Sequence, residues 1–371
     1  MKTSKIYIPL FLIVFFGSSC SNKITFKQSK SVYVEPTNVD SIDSFFEDWY
    51  YVTLETTANN LIASIDKIQI DDDYMWLLDT KNSSIYTFDL SGKYIRKLCR
   101  LGNGPEEYLD IADFQVFNNH IYILSRSNKT IFIYNLSGAY IGNYKLDDWY
   151  DYFYMAGHSV MLYSNFSNNT LYNLIEFNPT SEQYGKKEFP FPRNQGFRFI
   201  PSPFIITDNK DLLFAQQYDY TIYSLEPNTM RTDTVATLYF NTKDKLPENP
   251  YAEDFFKIYR EYTFKSVVKR ISMAYQKDNI LYVMYVLDYV QHLTKINMTS
   301  GENVTLKLEH NDKYPYVFSQ PLTVHHQYLV SSLDASSVLL FDDKFKSDKN
   351  TGGFLTEDDN PVLFFNKLKH D

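Results

Sequence analysis

An internal period of 46 residues constrains this chain more than any other feature. Phe88-Asp89-Leu90-Ser91-Gly92-Lys93-Tyr94-Ile95 returns as Tyr134-Asn135-Leu136-Ser137-Gly138-Ala139-Tyr140-Ile141, 46 residues on. The run ahead of it repeats in step: Met75-Trp76-Leu77-Leu78-Asp79 against Ile121-Tyr122-Ile123-Leu124-Ser125. Weaker copies of a polar turn after an apolar run stand at Phe177–Ser181, Tyr223–Pro227 and Ile296–Gly301, each with an upstream strand. A last unit pairs Tyr328–Val330 with a run at Val338–Asp342. Periods of this length belong to four-stranded repeats that cannot bury their faces alone and must stack on their neighbours.

Six such units predict an all-β fold, a six-bladed β-propeller occupying residues 46–371. A ring needs a seal, and the last unit is one strand short. The strand Tyr50–Leu54 lies ahead of the first full unit and is expected to complete the last blade, with Asn360–Phe365 supplying another strand there. Residues 249–268 break the period. Their apolar positions (Tyr251, Phe255, Phe256, Ile258, Tyr259, Tyr262) follow helical spacing behind Pro247 and Pro250, which predicts a short helical insertion between blades 4 and 5. Aromatic residues make up 17% of the chain and run through every segment, as pleated, half-buried surfaces favour.

Residues 1–19 have the form of a signal peptide. Lys2 and Lys5 precede an apolar run from Ile6 to Phe16, too short to span a bilayer, and Gly17-Ser18-Ser19 leads into Cys20. Small residues before a cysteine resemble the bacterial lipoprotein cleavage box, which implies acylation of Cys20 and a polar tether over residues 20–45. The usual Leu three places before that cysteine is replaced by Gly17. Acidic residues are absent from Ser21-Asn22-Lys23-Ile24, which favours a periplasm-facing position over the cell surface. Cys99 is then the one remaining thiol, and the apolar run before it predicts a buried structural role.

Several further segments carry a family resemblance: Leu54-Glu55-Thr56-Thr57, the Gly102-Asn103-Gly104-Pro105-Glu106-Glu107-Tyr108 loop, and the closing Asn360-Pro361-Val362-Leu363. They look like the six-bladed propeller lipoproteins of Bacteroides and relatives, themselves similar to NHL-type propellers. The resemblance implies the fold and an envelope location and brings no settled activity, because propellers host binding, hydrolysis and lyase chemistry alike.

A net charge of −9 and the lack of any dense basic run exclude nucleic acid as a partner and limit membrane contact to the lipid anchor. Arg100, Asn103, Glu106, Glu107 and Tyr108 fall on the connection between blades 1 and 2. They form either a ligand-facing loop or a turn that locks two blades together. Its glycines make no phosphate loop, since neither Lys-Ser/Thr nor a helix follows. No cofactor is predicted. The alternative is a divalent metal in the central channel, as in gluconolactonase-type propellers, for which Asp66, Asp113 and Asp208 are the candidate ligands. The seven histidines show no metal-ligand spacing, and His325-His326 on a strand should face opposite ways. No nucleophile elbow is present. The chain therefore reads as a non-enzymatic module binding a peptide, protein or glycan, with a metal-dependent hydrolase or lyase as the alternative.

Overall fold

The computed structural model describes residues 30–192, 202–206, 212–226, 229–247, 250, 255–309, 313, 321–341 and 355–370. Two strands open the chain, β1 (Lys30–Val34) and β2 (Phe46–Thr53). Blade 1 follows as β3 (Lys67–Ile70), β4 (Tyr74–Asp79), β5 (Ser84–Asp89) and β6 (Tyr94–Leu98). Blade 2 is β7 (Asp113–Phe117), β8 (His120–Ser125), β9 (Thr130–Asn135) and β10 (Tyr140–Lys145). Blade 3 is β11 (Tyr152–Ala156), β12 (Ser159–Tyr163), β13 (Tyr172–Asn178) and β14 (Gln183–Pro190). Blade 4 is β15 (Phe204–Ile206), β16 (Leu212–Phe214), β17 (Thr221–Glu226) and β18 (Arg231–Phe240). After helix α1 (Phe255–Tyr262) comes blade 5: β19 (Ile271–Lys277), β20 (Ile280–Leu287), β21 (Val290–Asn297) and β22 (Asn303–Lys307). Blade 6 takes β23 (Pro321–His325), β24 (Tyr328–Leu333) and, beyond helix α2 (Ala335–Phe341), β25 (Val362–Leu368).

The four strands of each blade are antiparallel and run from inner to outer in chain order, except that blade 6 is completed by β2 pairing with β25. The fold class read from the repeats, a six-bladed propeller sealed by an N-terminal strand, is the architecture observed. The middle strands are apolar almost throughout because a neighbouring blade covers each face: β4 and β5 are buried at five of six positions. The outer β6 alternates instead, having one face in solvent. A separate apolar cluster fills every seam. Trp76, Tyr108 and Phe132 join blades 1 and 2, and Met75, Phe88, Val330 and Phe365 join blades 6 and 1.

Side-chain amides stitch the inner strands together near the axis. Gln69 Nε2 donates to Val116 O (2.8 Å) while its Oε1 accepts from Val116 N (2.9 Å), copying a strand pairing. Gln115, one period later, does the same with Met155 at 3.5 and 2.6 Å. The polar turns repeat just as faithfully: Asp89 Oδ1 accepts from the Ser91 and Lys93 amides, and Asn135 Oδ1 from those of Ser137 and Ala139. Gly92 must be glycine: its φ is +88°, and a Cβ there would lie 2.1 Å from Thr53 O.

Three expectations need correction. Residues 30–45 are no tether but a belt around the ring. β1 adds a fifth, parallel strand to blade 4 (Lys30↔Ala236 to Val34↔Phe240), burying Val32 and Val34. Val39 then bridges to Thr305 on the outer edge of blade 5 before β2 reaches blade 6. The unpaired outer edges of β18 and β22 attract the segment, as exposed strand edges do. Second, Val338 lies in α2 and packs on Val362 and Phe364, so the third strand of blade 6 is β25 alone. Third, Cys99 is exposed, because β6 ends at Leu98 and the chain turns out at the rim. The helical insertion lies where expected, between blades 4 and 5.

Candidate functional site

The connections between blades, and the hairpins joining second to third strands, share one face of the ring. Both helices lie in such connections. On this face the hairpins of blades 3 and 4 depart from the period. Asn165 and Phe166 adopt φ of +53° and +60°, and Leu171 and Tyr218 φ of +60° and +58°. Left-handed backbone at bulky residues costs of the order of 1–2 kcal/mol each and persists only where surrounding contacts enforce it. Here Phe166 and Tyr218 are buried beneath Ile258 of α1, together with Phe191.

A buried polar network holds the same hairpins. Asn173 Oδ1 accepts from Phe166 N at 2.7 Å, and its Nδ2 donates to Gln216 Oε1 at 3.0 Å. Gln216 Nε2 reaches Asp219 Oδ2 at 3.4 Å, which also accepts from the Tyr223 hydroxyl at 3.0 Å. Asp151 pairs with Arg126 at 2.7 Å and accepts from Asn165 Nδ2 at 3.0 Å. Satisfied networks of this kind rigidify their surroundings.

Above this floor lies a partly open recess of about 300 Å³, solvent included, between blades 3, 4 and 5. Asn165, Ser202, Gln216, Gln217 and Arg270 line it beside Tyr163. Gln217 is held by Lys269 O at 3.0 Å, and the Tyr218 amide donates to the same carbonyl at 3.2 Å. Arg270 is half-buried. Burial pushes its pKa below the ordinary arginine value, only slightly opposed by the Tyr152 phenol, and no hydrogen bond or ion pair to a described residue offsets that cost. A desolvated guanidinium with its donors uncommitted is the group on this face best prepared to meet an anion.

The loop singled out from sequence is placed elsewhere. Glu107 turns back into it, accepting from Gly104 N at 2.8 Å, and a Cβ on Gly102 would sit 2.0 Å from that carboxylate. Tyr108 is fully buried; its hydroxyl accepts from Arg100 N (2.9 Å) and donates to Ser83 O (3.1 Å). The Tyr134 hydroxyl donates to Glu106 O at 2.7 Å, and Arg100 Nη2 reaches Gly138 O at 3.4 Å. Arg100, Asn103 and Glu106 are exposed. The loop clasps the seam between blades 1 and 2.

The channel carboxylates are also committed. Asp113 is buried, paired with Lys67 at 2.6 Å, and accepts from the amides of Phe114 and Phe153. Asp66 Oδ2 accepts from Ser64, Thr80 N and the Thr80 hydroxyl. Asp113 is engaged on both oxygens, whereas Asp66 is exposed and bonded through Oδ2 alone; Asp208 and Cys20 lie outside the described residues. Among the described residues no group of three His, Cys, Asp or Glu side chains is placed to hold a metal. His325 and His326 do not face opposite ways: their rings lie 4.1 Å apart, because His326 sits in the hairpin at φ +46° rather than on the strand. Among the described residues no helix is long and apolar enough to cross a membrane.

A sealed six-bladed propeller with one remodelled sector on its loop-bearing face is thus the class of protein the fold defines. A family model described as a domain of unknown function (DUF4934) matches residues 29–367, and the chain belongs to that family. Among solved structures it is similar to a Bacteroides fragilis protein described as exported, with 14% identity, a TM-score of 0.72 and coverage of 92% of this chain and 100% of that one. A DUF4221 member from Bacteroides vulgatus is similar at 13% identity and a TM-score of 0.55, over 88% and 98% of the two chains. These likenesses show the fold. No curated protein matches the sequence.

Proposed function

We propose that this chain is an envelope-anchored binding module that presents the recess between blades 3, 4 and 5 to a peptide, protein or glycan. The observation carrying the reading is Arg270, a half-buried cation uncommitted among the described residues above a rigid polar floor. Its position supports binding because burying a charge without a counter-charge costs stability, and a ligand anion offsets that cost. Export is supported by the leader and by the likeness to the Bacteroides fragilis protein described as exported, and acylation rests on the small residues that precede Cys20. A periplasm-facing position rests on the uncharged residues directly after Cys20.

The test is a thermal-shift screen of the full chain in detergent against envelope-derived peptides and glycans. A ligand should stabilise the wild type, lose its effect in Arg270→Gln, and keep it in Asn103→Ala. Binding that ignores Arg270 but disappears on altering the 102–108 loop would place the site at the seam between blades 1 and 2. Efficient turnover of an ester, lactone or peptide would refute the non-enzymatic reading.

A further inference from the structure

We propose that the recess takes the free C-terminal carboxylate of a peptide, with Arg270 as its counter-charge; this rests on the reading of the recess as the ligand site. Four considerations lead to that class. The first is charge. Among the described residues Arg270 is the charged group lining the recess, and behind its lining stand Asp151, bonded to Asn165 and paired with Arg126, and Asp219, bonded to Gln216. Arg126 already pairs with Asp151, and Asp219 accepts from Gln216, Tyr223 and the Thr221 amide. A monoanion therefore meets one uncommitted cation, whereas a phosphate monoester would bring a second negative charge beside two carboxylates with nothing to balance it.

The second is shape. The planar fork of arginine matches a carboxylate with two parallel N–H···O bonds, and such bonds are strongest where water is partly excluded. The third is size. The enclosed space of the recess is about 20 Å³, little more than one water occupies, so it admits a small terminal group and not the middle of a polymer.

The fourth consideration separates a peptide from an acidic sugar. Sugars are held by stacking on an open aromatic face. Tyr163 is the aromatic residue lining the recess, and it is buried, its ring flanked by Tyr152, Phe204 and Phe214 at centroid distances of 6.3, 6.3 and 5.8 Å. Among the described residues no ring face is presented there. Apolar surface stands instead on the segment leading to Arg270, where Phe264 is 87% exposed, and on the blade 5 hairpin against it, where Tyr289, 72% exposed, donates to Thr263 O at 3.1 Å. Lys269 lies over the Tyr289 ring at 5.3 Å. Tyr289 also sits at φ +66°, an unfavourable backbone for an aromatic residue that holds it outward. Apolar side chains upstream of a bound C-terminus would find these rings.

The experiment uses the full chain in detergent and two pools of N-acetylated tetrapeptides, randomised identically and ending in either a carboxylate or an amide. Calorimetric titration of the wild type should show binding of the acid pool and at least about ten-fold weaker binding of the amide pool. Arg270→Gln should lose the acid-pool binding by a similar factor and should melt no lower than wild type, since it removes a desolvated charge. Arg270→Lys, which keeps charge but not the fork, should fall between them. Equal affinity for both pools overturns the carboxylate assignment while leaving an Arg270-dependent recess in place. Arg270-dependent binding of glucuronic acid without binding of the acid pool overturns the peptide in favour of a sugar. Silence from every probe, with Arg270→Gln melting below wild type, makes Arg270 structural and overturns both this assignment and the reading beneath it.

Discussion

Asn360 ties the two ends of the chain together. Its Oδ1 accepts from Ile62 N at 2.9 Å and its Nδ2 donates to Glu55 O and Asn60 O at 3.0 and 3.2 Å, all within a buried pocket. Asn360→Ala leaves the Ile62 amide and the Asn60 carbonyl short of partners, Glu55 O keeping Asn60 Nδ2, and urea unfolding should show a loss of about 2–4 kcal/mol. A loss within experimental error would mean water replaces the side chain freely. His292 supplies a pH dependence. It is buried and stacked on Tyr285 at 5.4 Å, and burial lowers its pKa. The unfolded state therefore takes up a proton near pH 6.5 while the native state resists. Protons bound by the unfolded state exceed those of the native state in that window, so stability is full above about pH 6.5 and declines as pH falls below it. His370, also lowered by burial, adds to the slope with the same sign. Unfolding free energies at several pH values should give a shallower slope for His292→Gln than for wild type; identical slopes would show that His292 titrates normally.

At the scale of elements, the belt makes a graded prediction. β1 only adds an edge to a blade that already has its four strands, whereas β2 is the outer strand of blade 6 and brings Phe46 and Val52 into the two flanking seams. Removing residues up to Val34 should lower the melting temperature by a few degrees, as loss of one peripheral strand does. Removing residues up to Thr53 should abolish cooperative unfolding, since the ring can no longer close. If both truncations melt alike, the seal is made elsewhere. Much of this was legible in the sequence. The 46-residue period named four strands per blade because turn chemistry and buried middle strands recur wherever the environment recurs. The belt was not, because Lys30-Ser31-Val32-Tyr33-Val34 is a short run in an otherwise polar segment, and nothing in it names the distant edge it pairs with. The run Val338–Phe341 was misread for a related reason: four apolar residues fit a strand or one helical turn equally well, and packing on Phe364 decides.

Across the whole molecule, the departures from symmetry fall in blades 3 to 5 and, through the insertion that carries α2, in blade 6. Blades 1 and 2 keep the period closely and are clasped by the 102–108 loop. Blades 3, 4 and 5 carry hairpins with left-handed bulky residues, helix α1 and an arginine that is unpaired among the described residues. Regularity serves closure of the ring, and irregularity is retained where something other than closure is selected. The loop containing Arg100, Asn103, Glu106, Glu107 and Tyr108 caught the eye because glycine, proline and carboxylates are conspicuous in a sequence. In the fold Glu107 and Tyr108 turn inward to brace the loop at the seam, while the side chains of Arg100, Asn103 and Glu106 are exposed. Arg270 had no motif to announce it. Its meaning depends on which groups lie nearby, and these come from Asp151, Asn165 and Gln216, more than 50 residues away in sequence.

The sequence by itself determined the number of blades, the strand that seals the ring and the place of the helical insertion. These follow from local periodicity and from the requirement that every apolar face be covered. Only the tertiary structure decided which polar groups are satisfied and which are left open. Hydrogen-bond satisfaction is a property of neighbours brought together from distant parts of the chain, and a lone arginine in a row of letters carries no sign of whether its charge has been met.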